Sequence, residues 1–339
     1  MTQFTLTFLG PFQVRAGATL VTDFHSDKAR ALLAYLALEP HEHDRTLLAT
    51  LLWPAIDDQY ARTNLRTTLY RLRQTLDRAA PGAGDQMLTV TRQTVQFNPA
   101  SCVVDVLRFQ GLLNQPLTGV SSPVASVELL TEAVALYGGE LLLGFSVADA
   151  APFEEWLLLR RELLQQQAML AFQKLATAYE AAGQEEQAHT VAGRLLALDP
   201  YREETYRQIM RLLARMGQPG EALQLLERLR RLLHDEMGVA PSSETLTLAE
   251  EIVAGRYDKG AGERGDEAAR EAPVTLSAPQ LGAPTLKLDL RDVPDPGLFV
   301  GRAHERRQPA QWLLHDRCRG GDSGYWRDGQ DQPGGPVPP

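Results

Sequence analysis

The chain has 339 residues, of which 44% are hydrophobic, and its formal net charge is -9. A chain of this length can form two or three domains with buried cores. Its only cysteines, Cys102 and Cys318, are far apart in the sequence, which excludes a disulfide framework and a metal site built of thiolates.

The sequence predicts a cytoplasmic protein that is neither exported nor embedded in a membrane. No stretch approaches the roughly 18 consecutive apolar residues of a membrane span, and no basic segment precedes the apolar residues at the start. His41 and His43 flank Glu42, but the neighbouring sequence supplies no further metal ligands, so we interpret them as loop residues. We therefore expect neither a metal nor another cofactor.

Short strands and two helices are predicted at the N terminus. Phe4, Leu6 and Phe8 alternate with threonines before a Gly-Pro break, which predicts a small antiparallel sheet. The apolar spacing then predicts a helix over residues 28–38 and a shorter helix over residues 46–53, each closed by a proline.

A longer amphipathic helix is predicted over residues 57–78. Four leucines recur on one face at helical spacing: Leu65, Leu69, Leu72 and Leu76. The opposite face carries side chains that can contact base edges or phosphates: Thr63, Thr67, Tyr70, Arg71 and Gln74. Arg62, Arg66 and Arg73 flank that face, and no acidic residue lies between residues 61 and 75. The alternative is a solvated surface helix, although such a face usually mixes lysine with glutamate.

The segment after this helix predicts a β-hairpin over residues 87–97 with Arg92 at its tip. Residues 60–95 hold six arginines against two aspartates, a local positive charge that suffices for phosphate contact even on an acidic protein. The order of strands, three helices and hairpin is that of a winged helix. In that fold the third helix enters the major groove, and the hairpin can place an arginine on the backbone or in the minor groove.

Residues 4 to about 107 resemble the DNA-binding domain of bacterial winged-helix regulators of the response-regulator output type. Three segments carry the resemblance: residues 28–36, Leu51-Leu52-Trp53-Pro54, and Asn64-Leu65 with Tyr70-Arg71-Leu72-Arg73. The sequence differs from the family pattern at the wing, where Arg92-Gln93-Thr94 replaces the glycine-rich turn of many relatives. It implies that residues 1–104 bind double-stranded DNA. If the domain binds DNA, the outer face of the long helix and the wing supply eight contact residues: Thr63, Thr67, Tyr70, Arg71 and Gln74 toward bases or nearby backbone, and Arg66, Arg73 and Arg92 toward phosphates.

The pattern becomes helical from Asp105, a polar start that favours a unit with its own core over residues 105–255. Amphipathic segments are predicted at residues 105–113, 124–137 and 152–182. Residues 183–188, Gly-Gln-Glu-Glu-Gln-Ala, recur as Gly-Gln-Pro-Gly-Glu-Ala after an offset of 34 residues, which is the tetratricopeptide period.

Two motifs in this part resemble the bacterial transcriptional activator domain, namely Tyr137-Gly138-Gly139-Glu140-Leu141-Leu142 and Glu154-Glu155-Trp156. A winged helix joined to this domain is the arrangement of the antibiotic regulatory protein family. The resemblance implies that the helical domain contacts RNA polymerase, another protein or a second copy of the chain.

Residues 256–294 are rich in Gly, Ala, Pro, Glu and Arg without periodicity, which predicts a flexible linker. Residues 295–317 contain Phe299-Val300-Gly301-Arg302, which resembles the start of a signal-transduction ATPase domain. No GxxxxGK[ST] loop follows. Residues 318–339 are predicted to be disordered, and we interpret them as an out-of-frame translation, because a frame shifted by one nucleotide from Gly324 can spell Gly-x-Gly-x-Met-Gly-Lys-Thr-Ser. The nucleotide sequence tests that hypothesis.

The sequence thus predicts a mainly α protein with a small β part, in which a winged helix-turn-helix precedes a tetratricopeptide-like helical domain. The favoured function is that of a non-enzymatic, DNA-binding transcriptional regulator. Two alternatives stay open: the N-terminal fragment of a P-loop ATPase regulator, and a tetratricopeptide-like adaptor without DNA binding.

Overall fold

The computed structural model describes residues 3–115 and 123–256. The predicted linker beyond Arg256, the predicted ATPase start and the predicted tail lie outside the described residues.

The N-terminal part has the predicted order of strands, helices and hairpin. Its elements are β1 (Phe4–Thr7), β2 (Gln13–Ala16), β3 (Thr19–Leu20), α1 (Asp27–Leu38), β4 (His43–Asp44), α2 (Arg45–Leu52), α3 (Asp58–Ala79), α4 (Ala83–Met87), β5 (Leu88–Val90), β6 (Thr94–Phe97) and β7 (Cys102–Val104).

Two small sheets frame the three main helices. The first has the strand order β3-β2-β1-β7, in which β1 and β2 pair antiparallel as predicted, with Phe4 opposite Ala16. Strand β7 adds a parallel edge to β1, and sequence analysis missed it because three residues show no useful alternation. The second sheet, β4-β6-β5, forms the wing. The wing is therefore tied to the start of α2 through β4.

Each main helix begins at a side-chain cap. The Ser26 hydroxyl caps α1 by accepting from the Ala29 amide, and the carboxylates of Asp44 and Asp57 cap α2 and α3. The four leucines predicted for the inner face of α3 are buried, which confirms the amphipathic pattern. Thr75 is buried as well, and its hydroxyl donates to the carbonyl of Asp23 over 3.0 Å.

The second part is helical, as predicted. Its elements are α5 (Asp105–Leu113), α6 (Pro123–Leu136), α7 (Ala151–Ala181), α8 (Glu185–Leu198), α9 (Glu203–Arg215), α10 (Pro219–Met237) and α11 (Ser243–Val253).

The 34-residue repeat corresponds to two equivalent turns between antiparallel helices. Gly183 ends α7 and Gly217 ends α9, with φ of 69° and 78°, a conformation that favours glycine. In each turn the following amide reaches back across the helix end: Gln184 donates to the carbonyl of Tyr179, and Gln218 donates to that of Leu213. Sequential helices α7 to α11 then pack against their neighbours.

Asp105 connects the N-terminal part to the helical part. From its polarity we expected instead that the helical part begins here as a unit with its own core. The residue is buried, and its carboxylate accepts hydrogen bonds from the backbone amides of Phe8 and Leu9, both over 2.8 Å. The Glu39 carboxylate, at the end of α1, accepts from the indole of Trp156 over 2.9 Å and pairs with Arg160 on α7. Buried apolar residues of both parts belong to one continuous cluster.

Candidate nucleic-acid interface

The outer face of α3 presents the predicted contact residues to solvent. Leu65, Leu69, Leu72 and Leu76 fix the rotation of the helix by packing inward. The exposed set on the opposite side and its flank is Thr63, Arg66, Thr67, Tyr70, Arg71 and Gln74. The structure thus brings six of the eight predicted residues onto one exposed surface of a single helix.

The threonine hydroxyls on this face are directed by the helix itself. The Thr63 hydroxyl donates to the carbonyl of Gln59 over 2.9 Å, and the Thr67 hydroxyl donates to that of Thr63 over 3.1 Å. Because each hydroxyl proton is used, the outward groups are oxygen lone pairs and methyl groups. Such groups can accept from an exocyclic amine or contact a thymine methyl.

Tyr70 and Gln74 form a pair one helical turn apart. The amide nitrogen of Gln74 donates to the Tyr70 hydroxyl over 2.6 Å, and the Tyr70 side chain is 63% exposed. This bond orients the amide while leaving its oxygen and its second N–H free. A glutamine presented in this way can form the paired hydrogen bonds that identify adenine.

Arg73 is engaged within the protein. Its side chain is half-buried and pairs with Asp85 of α4, so its charge is neutralised there. The Asp77 carboxylate also accepts from the amide of Gly84 over 2.8 Å, so the end of α3 holds α4 through two polar contacts. Unlike the six exposed residues, Arg73 is therefore paired with a residue of a neighbouring helix.

The wing tip is closed by a threonine in place of the usual glycine. The Thr91 hydroxyl oxygen accepts from the amides of Gln93 and Thr94, over 3.2 and 2.9 Å, and leaves Arg92 exposed at the turn. Arg45 holds this turn from α2: its backbone amide donates to the carbonyl of Gln93 over 2.9 Å, and its guanidinium donates to that of Thr91 over 3.1 Å.

Two arginines outside the predicted set belong to the same region. Arg45 fixes the wing, as described, and its position at the first residue of α2 gave only a weak sequence signal. Arg62 is exposed, and its positive charge interacts electrostatically with the Asp44 carboxylate. The pKa of Asp44 is lowered mainly by the Thr46 hydrogen bond and to a smaller extent by Arg62.

His43 is buried within β4, so its interpretation as a loop residue was wrong. Its Nε2 lies 2.7 Å from the carbonyl oxygen of Glu39, and its ring contacts those of Tyr35 and His41. Burial lowers the pKa of His43. Throughout residues 3–115 and 123–256, no group of three or more His, Cys, Asp or Glu side chains is arranged to hold a metal ion.

Comparison with known families identifies the helical part. Residues 104–253 match the bacterial transcriptional activator domain family. The chain therefore carries a bacterial transcriptional activator domain over these residues. Within the part of the chain that the structure describes, no helix has the length and apolar composition needed to cross a membrane.

Two related proteins from Streptomyces coelicolor align with this chain over regions longer than the activator domain. Regulatory protein AfsR is 29% identical over 283 residues, which are 81% of this chain and 26% of that protein. Transcriptional regulator RedD is 31% identical over 238 residues, 67% of this chain and 64% of that protein. The chain therefore spans less than two thirds of either relative.

A solved structure has the same architecture. The chain is similar to Mycobacterium tuberculosis EmbR, solved in complex with a low-affinity phosphopeptide, with a TM-score of 0.55 and 22% identity over 75% of this chain and 66% of EmbR. At this identity the likeness supports the fold alone. It agrees with a winged helix followed by the helical activator domain.

Proposed function

We propose that this protein is a non-enzymatic transcriptional regulator of the cytoplasm that binds promoter DNA through α3 and the wing. The observation that carries the proposal is the exposed outer face of α3, which combines hydrogen-bonding side chains with arginines opposite a fully buried leucine face. An α-helix of this kind fits the major groove. The names of RedD and AfsR as regulators support the same class of function.

The contacts divide into base recognition and phosphate binding. Arg71 and Gln74 face the base edges, while Thr63, Thr67 and Tyr70 contact bases or nearby backbone. Arg66 and, at the wing, Arg92 bind phosphates. Because Arg73 is paired with Asp85, Arg62 takes the third phosphate position.

The activator domain is proposed to contact RNA polymerase or another protein. Stacked helical hairpins form extended surfaces that suit protein recognition. The junction formed by Asp105, Glu39 and Arg160 fixes this domain against the winged helix. A partner bound to the activator domain would therefore be held at a defined position relative to DNA.

Selection of bound genomic fragments, followed by anisotropy titrations, tests the proposal. We expect an enriched site whose affinity falls steeply with salt, since each phosphate contact releases counterions, and weaker binding to a shuffled duplex. Equal and weak affinity for both duplexes would contradict sequence recognition and favour an adaptor. Tight nucleotide binding would favour the ATPase alternative.

A further inference from the structure

The outer face of α7 carries an apolar stripe, here named the α7 stripe and defined as Leu159, Leu163, Gln166 and Leu170. Its three leucines are 71%, 40% and 52% exposed. The successive spacings of four, three and four residues are those of helices that pack lengthwise against another helix. The opposite side of α7 is buried in the chain's own core, so the stripe faces away from that core.

The ends of the α7 stripe carry opposite charges. Glu155 lies one turn before Leu159, and Lys174 lies one turn after Leu170. Both side chains are exposed, and neither takes part in an ion pair within residues 3–115 and 123–256. They are separated by about 28 Å of helix at 1.5 Å per residue, so they cannot pair within one chain.

We propose that the α7 stripe is the contact between two copies of this chain, with the two α7 helices antiparallel. A two-fold axis between residues 164 and 165 places Leu159 of each copy opposite Leu170 of the other, and Leu163 opposite Gln166. The same register places Glu155 opposite Lys174 at both ends. The stripe is therefore complementary to itself in the pairing of its end leucines and in charge, as a two-fold interface requires.

The two end pairs of Glu155 and Lys174 fix the register, because any shifted alignment separates the opposite charges. Gln166 is the polar member of the α7 stripe and lies opposite Leu163 in this register. In the structure its amide nitrogen donates to Glu162 over 2.9 Å, so the side chain is already partnered at the edge of the stripe. Two identical patches of this length form a contact at the small end of specific interfaces, and we expect micromolar dissociation.

Sedimentation equilibrium of the full chain without DNA tests the contact, using two neighbouring leucines. Leu159→Glu introduces two buried charges into the symmetric interface and should weaken dimerisation by at least roughly tenfold. Leu158→Glu is the matched control, because Leu158 is 67% exposed but lies about 100° away around the helix. It should dimerise as the unmodified chain does.

A charge exchange distinguishes a second copy from any other partner. Glu155→Lys alone and Lys174→Glu alone should each weaken the dimer, whereas the double exchange should restore it. A chain that stays monomeric at all concentrations, equal effects of the two leucine substitutions, or a double exchange without recovery would overturn the proposal. Circular dichroism of each variant confirms that α7 remains folded, and the absence of DNA keeps the outcome independent of the proposed function.

Discussion

Asp105 is the residue that most directly couples the first sheet to the helical domain, through its buried carboxylate. Backbone amides of Phe8, Leu9 and Val106 all donate to it over 2.7 to 2.8 Å. Burial raises the pKa of Asp105 to about 6, and these hydrogen bonds oppose that rise. The folded protein therefore binds the Asp105 proton more tightly than the unfolded chain does.

This pKa predicts how the unfolding free energy depends on pH. Between about pH 4 and pH 6 the folded state retains the proton that the unfolded state releases, so the stability contributed by Asp105 falls as pH rises. Over that window the loss is about 3 kcal/mol at most. Urea denaturation of the unmodified chain and of Asp105→Asn, which cannot titrate, should show a stability difference that changes across this window. A constant difference would contradict the raised pKa.

The Tyr70 and Gln74 pair predicts a change in DNA recognition without a change in folding. Tyr70→Phe removes the hydroxyl that orients the Gln74 amide, so we expect affinity for the selected site to fall by roughly three- to tenfold. Binding to a shuffled duplex should stay the same. Tyr60→Phe is the control, since Tyr60 is 70% exposed on the same helix. If both variants lose affinity equally, the orientation of Gln74 is not the cause.

At the scale of elements, α4 packs against α3 through a close backbone approach. A Cβ atom at Gly84 would lie 2.9 Å from the backbone carbonyl oxygen of Arg73. Backbone at this distance cannot move aside as a flexible side chain can. The Arg73 and Asp85 ion pair lies at the same contact. Short α4 thus depends on glycine for its packing.

Gly84→Ala should lower the unfolding free energy by about 1 to 3 kcal/mol, because the added methyl separates α4 from α3. Gly111→Ala is the matched control in helix α5, where a Cβ would meet nothing within 4 Å. That substitution should stabilise the protein slightly, since alanine favours a helix over glycine by about 0.5 to 1 kcal/mol. Thermal or urea denaturation measures both changes, and equal stability of the two variants would refute the packing argument.

Patterns local in sequence predicted most of these elements. The leucine spacing of α3 and the 34-residue repeat follow from periodicity, because a helix face or a hairpin turn is encoded by nearby residues. The pairing of β7 with β1, the Asp85 contact of Arg73 and the burial of His43 depend on residues distant in sequence or on short segments. Solvent exposure of the α3 face was predictable, but Arg45 as the support of the wing was not.

At the scale of the whole molecule, the winged helix and the helical domain meet at a junction, but they differ in the sequence separation of their internal contacts. The helical domain packs mainly between successive helices, so we predict that a fragment of residues 104–256 still unfolds cooperatively. Its melting temperature should be lower than that of the full chain, because the fragment loses the partners of Asp105, Trp156 and Arg160. Circular dichroism at 222 nm measures this melt. A fragment without helix would show that the two parts fold as one unit.

The central claim is that the outer face of α3 reads DNA sequence. Arg71 lies exposed on that face, opposite the buried leucines, so Arg71→Ala should weaken binding to the selected site by about 1 to 3 kcal/mol while affecting a shuffled duplex much less. Arg211→Ala removes the same charge from an exposed position on α9 and serves as the control. Anisotropy titrations of both variants at one salt concentration are the most direct measurement. A large and selective loss for Arg71→Ala alone is the predicted result, and equal affinities for the two variants, with folding intact, would contradict it.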